Sequence, residues 1–262
     1  MRVLLLLVGV FVSGVSLAGI LESGETRSFM PDNNLHLEDF LTDSSNVSES
    51  QFNRIIEIGK EIYQPYADEK DESLVINNKW DDPTVNANCH RFWGKVTINM
   101  FGGLARRPEV SPSAFALVLC HELGHAYGGT PFLRKSSQMS AEGQADYFGS
   151  SDCLKKVIEV LEDEFPEYET TEFTEEACDG DAVCLRGLHA GQGLGSLLAS
   201  FRQTDEPNYE TPDPLVVKKT QLSYPDTIQC RLDTYLAGAL DLDRPACWFK
   251  PEKEKEKEKD EK

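Results

Sequence analysis

Residues 111–129, "SPSAFALVLCHELGHAYGG", constrain this chain more than any other stretch. Ser111 is a preferred N-cap, Pro112 suits a first helical position, and Gly128-Gly129 supply a stop, so a helix with both ends marked is expected. Within it, His121 and His125 are spaced i, i+4, which puts both imidazoles on one face and lets them aim at one point. Glu122 adjoins the first histidine and projects toward the same cleft edge. Two helix imidazoles and one carboxylate from elsewhere give three donors of a tetrahedral zinc site. A fourth position is then left for solvent, and Glu122 is free to act as a general base. The alternative is a helix whose two histidines serve only packing.

The next helical stretch, "SAEGQADYFG", offers the missing carboxylate. Glu142 and Asp146 again stand i, i+4, so both face one way. A third ligand and a partner that orients a ligating histidine need that geometry. A solvated acidic face is the competing reading, because the chain carries 45 Asp and Glu against 26 Lys and Arg.

That imbalance gives a formal net charge of −19, which argues against nucleic acid as a partner and against docking on anionic membranes. The first 18 residues, "MRVLLLLVGVFVSGVSLA", read as a secretory signal peptide cleaved after Ala18. A short membrane anchor is the alternative, but the apolar run falls short of the roughly 20 residues that a spanning helix needs. No cysteine stands at residues 19 or 20 to take a lipid, so the mature protein is expected to have no stable membrane anchor and to be periplasmic or secreted. In such a compartment seven cysteines imply disulfides and one leftover thiol. Cys178 with Cys184, and Cys230 with Cys247, are the local pairs.

Residues 19–50 read as a flexible leader, 51–250 as one domain, and 251–262 as a charged, disordered tail. After residue 50, "SESQFNRIIEIGKEIYQPY" has helical periodicity and is expected to end before Pro65. "SLVINNKWDDPTVNANCHRFWGKVTINMFGGL" reads as short strands separated by turns at Asp81-Asp82-Pro83, near Gly94 and at Gly102-Gly103. Helices are also expected over "DCLKKVIEVLEDEF", "RGLHAGQGLGSLLASF" and "QCRLDTYLAGAL".

"HELGH" followed by a helix with Glu-x-x-x-Asp resembles the gluzincin zinc metallopeptidases. The preceding "VNANCHRFWGKVTINMFGGL" is similar to the strand pair before the zinc helix in the CAAX prenyl protease / HtpX group, which includes soluble periplasmic BepA-type members. "SYPDTIQCRLDTY" is similar to that group's "HPS…ER" segment. The resemblance runs from Asn86 to Arg231, specific at its centre and loose at its flanks. It implies an α+β, zincin-like metallopeptidase domain, a small twisted sheet packed with the HExxH helix and a second Glu-bearing helix.

One Zn2+ per chain is implied, with His121, His125 and Glu142 as ligands, Glu122 as base and proton shuttle, and Asp146 as the orienting partner. Asn86, Ala87 and Asn88 would form a cleft-side strand that pairs with an extended peptide or protein substrate, as edge strands do. Tyr224-Pro225 stands where the group has His-Pro, and Arg231 follows one residue later than usual, yet these two would supply the donor for a tetrahedral oxyanion. His189 is a substitute for that donor or a packing residue. Cys120, pointing away from a metal that His121 faces, is read as buried or disulfide-bonded, with Cys153 the candidate partner. The resulting expectation is an exported zinc endopeptidase. Its alternatives are an inactive zinc-binding zincin domain acting as a protein-binding or chaperone-like module, and a disulfide-rich secreted binding protein without metal.

Overall fold

The computed structural model describes residues 25–38 and 46–251. Residues 1–18, read as a signal peptide, residues 252–262 of the tail and the rest of the leader lie outside them. The architecture is α+β, a four-stranded sheet on one side of a helical layer.

The described residues begin with strand β1 (Glu25–Ser28), then helix α1 (Glu49–Glu69), β2 (Ser73–Lys79), β3 (Ala87–Phe92) and β4 (Lys95–Phe101). A capping box between Ser48 and Gln51 starts α1. The helix does not stop before Pro65 but runs through it. An internal proline removes one backbone hydrogen bond, at a cost of about 3 kcal/mol. Beyond and before it, fully buried Ala67 and Tyr63 hold the helix on the core, and Tyr63 also donates to Asp152 at 2.8 Å. Burial of that face offsets the lost bond.

β3 and β4 form a hairpin whose two turn residues, Trp93 and Gly94, both have positive φ, the twist that matches the strands of a tight hairpin. β2 lies parallel to β4 on one side, and β1 lies antiparallel to β3 on the other, giving the order β1-β3-β4-β2. The strand at Asn86 to Asn88 is therefore not an edge. Its outer side is taken by the chain's own residues, Ser28 opposite Asn88 and the Phe29 amide on the Ala87 carbonyl at 3.1 Å. The leader reading also fails over residues 25–38, where Phe29 and Met30 are fully buried. A polar stretch is held in place here by two apolar side chains and by strand pairing, neither of which local sequence periodicity reveals.

After the single turn α2 (Gly102–Ala105) comes the central helix α3 (Pro112–Tyr127), capped by Ser111 through the Ala114 amide. Every residue from Pro112 through Ala126 is buried, as expected of a helix covered on all sides. The sheet covers one face, α1 another, and α4 (Glu142–Phe148), α5 (Leu154–Leu161) and α7 (Ala182–Arg202) cover the rest, while α6 (Glu172–Cys178) packs on α7 and α8 (Ile228–Ala239) packs on α7 and α4. Between α4 and α5 a π-helical turn spans Gly149–Cys153, where the Ser150 hydroxyl bonds the Asp146 carbonyl at 3.1 Å. Among the described residues, no helix is long and apolar enough to cross a membrane.

Three disulfides staple the helical layer: Cys120–Cys153, Cys178–Cys184 and Cys230–Cys247. The first joins α3 to the π turn across 33 residues, a closure worth about 3–4 kcal/mol on loop entropy. The remaining thiol, Cys89, is buried on β3.

Gly124 sets the distance between α3 and α4. A Cβ there would meet the Ala145 carbonyl oxygen at 2.8 Å and its Cα at 2.9 Å, both backbone atoms that cannot swing away. Gly124→Ala is therefore expected to force the two helices apart and to cost about 1–3 kcal/mol, read as a lower thermal midpoint. An unchanged midpoint would show that the contact has slack.

Candidate metal centre

His121 and His125 project from α3, and Glu142 opens α4 opposite them. Ligand atoms of all three lie within 4.8 Å of one another, and all three side chains are fully buried. Glu142 Oε2 stands 3.5 Å from His121 Nε2 and 3.6 Å from His125 Nε2.

The other ring nitrogens fix the tautomers. His125 Nδ1 faces the Ser140 carbonyl at 2.9 Å, an acceptor only, so Nδ1 must carry the proton. His121 Nδ1 faces Asp146 Oδ1 at 2.7 Å, and a carboxylate likewise only accepts. In the neutral rings both Nε2 atoms are thus bare lone pairs, turned toward a carboxylate that is itself only an acceptor. Neither Nε2, neither oxygen of Glu142 and neither oxygen of Glu122 has a hydrogen-bond partner. Such groups, buried and acceptor against acceptor, are stabilised by a cation among them. The donor set of two imidazoles and one carboxylate fits a divalent metal ion.

Electrostatics around the cluster are graded by contact. Burial alone would raise the Glu142 carboxyl, but the two imidazoles, when protonated at Nε2, outweigh it and lower its pKa to about 2. Burial disfavours a charged His121, yet the Asp146 carboxylate against Nδ1 raises its pKa overall, basicity that a cation at Nε2 would draw on. For Glu122 burial dominates and pushes the carboxyl up to about 8, with His121 pulling the other way. A cation nearby would bring it back toward the ionised form.

Asp146 sits one helical turn beyond Glu142 and binds far more than His121. Arg231 on α8 grips it with two nitrogens, Nε to Oδ2 at 2.8 Å and Nη2 to Oδ1 at 2.7 Å, and Tyr235 donates at 3.0 Å. That fork, together with His121, outweighs burial and holds the Asp146 carboxyl well below the usual carboxylate range. Arg231 spends its remaining contact on the Phe29 carbonyl, Nη1 to O at 2.9 Å. Tyr224 donates to the Ser28 carbonyl at 2.6 Å.

The fold thus gathers His121, Glu122, His125, Glu142, Asp146, Arg231 and Tyr224 into one region. Arg231 is mainly a positioning group on Asp146 rather than a free donor. Asn86 and Ala87 border the same region through Met30 and Phe29, whereas Asn88 accepts from Asn99 at 2.7 Å. His189 is not part of it: it lies on α7 against Tyr168, lining a cleft with Phe173 and Tyr209. Sequence reasoning missed Ser140, Tyr235 and Phe29. Tyr235 had a signal, since it follows Arg231 at i, i+4 on one helix face. Ser140 acts through its carbonyl and Phe29 through distant packing, and neither leaves a trace in local spacing.

Arg231→Met strands the Asp146 charge in the interior and is expected to cost roughly 3–5 kcal/mol, read as loss of stability in denaturant titration. Replacing Asp146 with Leu in the same chain should recover part of that loss, and a double variant worse than the sum of the singles would contradict the pairing. Comparison of the chain with protein-family models, with curated proteins and with solved structures finds no match, so its function is read from the centre itself.

Proposed function

We propose that the chain is a zinc-dependent endopeptidase of the gluzincin kind, similar in its motifs to the CAAX prenyl protease / HtpX group, exported to the periplasm or beyond the cell. One observation carries the reading: two imidazole Nε2 atoms and the Glu142 carboxylate converge with unused lone pairs while a second carboxylate, Glu122, waits beside them unpaired. Donors about 2.0–2.2 Å from a tetrahedral centre lie roughly 3.3–3.6 Å apart, and the two Glu142 separations of 3.5 and 3.6 Å fall in that range. The three disulfides fit an oxidising compartment.

In this reading His121, His125 and Glu142 hold one zinc ion. When bound, zinc supplies Lewis acidity for the scissile carbonyl and for the attacking water. Glu122 takes the proton from that water and returns it to the leaving amine. Asp146, held by Arg231 and Tyr235, keeps His121 in the tautomer that leaves Nε2 free. Tyr224, whose hydroxyl bonds the Ser28 carbonyl, would donate to the oxygen that gains charge in the tetrahedral intermediate. The substrate is a peptide or protein.

A second reading, a zinc-holding zincin domain that binds or chaperones proteins without cutting them, draws support from the complete burial of His121, Glu122, His125 and Glu142. Turnover separates the two. Glu122→Gln should keep the metal and lose at least about 100-fold in cleavage of a quenched peptide, since a general base contributes 10²–10⁴ in rate. Equal cleavage by Glu122→Gln and the unaltered protein would remove Glu122 from the mechanism. Absence of chelator-sensitive cleavage by the unaltered protein, once its cleft is open, would favour the second reading.

A further inference from the structure

A peptidase centre must admit a peptide, yet here all four central side chains are sealed. The seal is a short polar strand and the two residues after it. Glu25–Ser28 add antiparallel to β3, with Ser28 opposite Asn88. Phe29 continues the pairing through its amide on the Ala87 carbonyl, and Met30 is clamped at both backbone atoms by the Asn86 amide at 3.1 and 3.2 Å.

The Phe29 ring stands edge-on to His121, centroids 5.4 Å apart, under the Arg231 guanidinium at 4.7 Å. Two successive peptide carbonyls, Ser28 and Phe29, take the hydroxyl of Tyr224 and a guanidinium nitrogen of Arg231. An extended peptide thus lies along β3 with the Phe29 ring against His121 and two of its carbonyls held by Tyr224 and Arg231. Its side chains before Phe29 are polar: Thr26 bonds His90 Nδ1 at 2.9 Å and Glu25 pairs with Arg134 at 3.8 Å, beside the backbone pairing and the buried Phe29 and Met30.

We infer that residues 25–30 fill the substrate groove of the proposed peptidase, acting as a built-in, substrate-like plug. The groove they mark out takes an extended, unfolded peptide that pairs antiparallel to β3 and carries a bulky apolar side chain at the Phe29 position. The inference rests on the peptidase reading for what happens to a bound peptide, but not for binding itself. A tethered segment competes at an effective concentration in the millimolar range, so free peptide is shut out until the tether is cut or the segment displaced. β-Strand addition makes the occupant interchangeable, because the pairing to β3 is made by backbone atoms.

The test uses the full chain with a site-specific protease sequence introduced between Asp32 and Asn33, where Asp32 and Asn34 are exposed, so that the cut is made after folding. The probe is a fluorescein-labelled ETRSFMP peptide, corresponding to residues 25–31, followed by anisotropy with chelator present. Cutting should convert the plug to a diffusible peptide and lower the apparent Kd of the probe at least tenfold. A probe with alanine at the Phe position should bind at least tenfold more weakly to the cut protein. Phe29→Ala in the uncut chain should also admit the wild-type probe. Equal probe binding before and after the cut, with no gain in Phe29→Ala, overturns the plug while leaving the Glu122→Gln test of the peptidase reading intact. Probe binding after the cut without cleavage of any peptide in the zinc-loaded protein upholds the plug and overturns the peptidase reading instead.

Discussion

Three hydrogen-bond acceptors face one another in the buried centre of this protein, and a chain of contacts from four helices holds them there. The two Nε2 atoms cannot donate because their partners across the rings have claimed the protons, and Glu142 offers only oxygen. Each buried acceptor left without a partner costs about 1–3 kcal/mol, and a carboxylate costs more. A fold that brings them together with such short supports beneath them could hold a metal ion at this point.

The supports can be followed outward. Asp146 holds the His121 ring, and Arg231 and Tyr235 hold Asp146, so α8 is tied to α3 through α4 by one carboxylate. Gly124 lets α4 come close enough for Glu142 to reach the histidines, and Cys120–Cys153 fixes the far end of the same helix pair. Arg231 then reaches past Asp146 to the Phe29 carbonyl, linking the interior ion-pair network to the segment that closes the cleft. Loss of that segment and loss of the network would therefore be felt at one guanidinium.

Much of this was legible because it is local. The caps of α3, the i, i+4 spacing of the histidines, the pairing of Glu142 with Asp146 and the Cys178–Cys184 disulfide are all written within a few residues of one another. The β3–β4 hairpin announces itself through Gly94 in the same way. What stayed hidden depends on partners far along the chain. Glu25–Ser28 has no apolar alternation, and only the free side of β3 makes it a strand. Pro65 should end a helix on local grounds, but the packing of Tyr63 and Ala67 decides otherwise. The bidentate grip of Arg231 on Asp146 stayed hidden as well, because it spans 85 residues of sequence.

Metal content measures the central claim most directly. Protein purified without added metal should carry close to one equivalent of zinc by elemental mass spectrometry, and His125→Ala, folded by circular dichroism, should carry almost none. A metal-free wild-type protein that also fails to take up zinc on titration, or a His125→Ala variant that binds it equally well, would contradict a centre built from His121, His125 and Glu142.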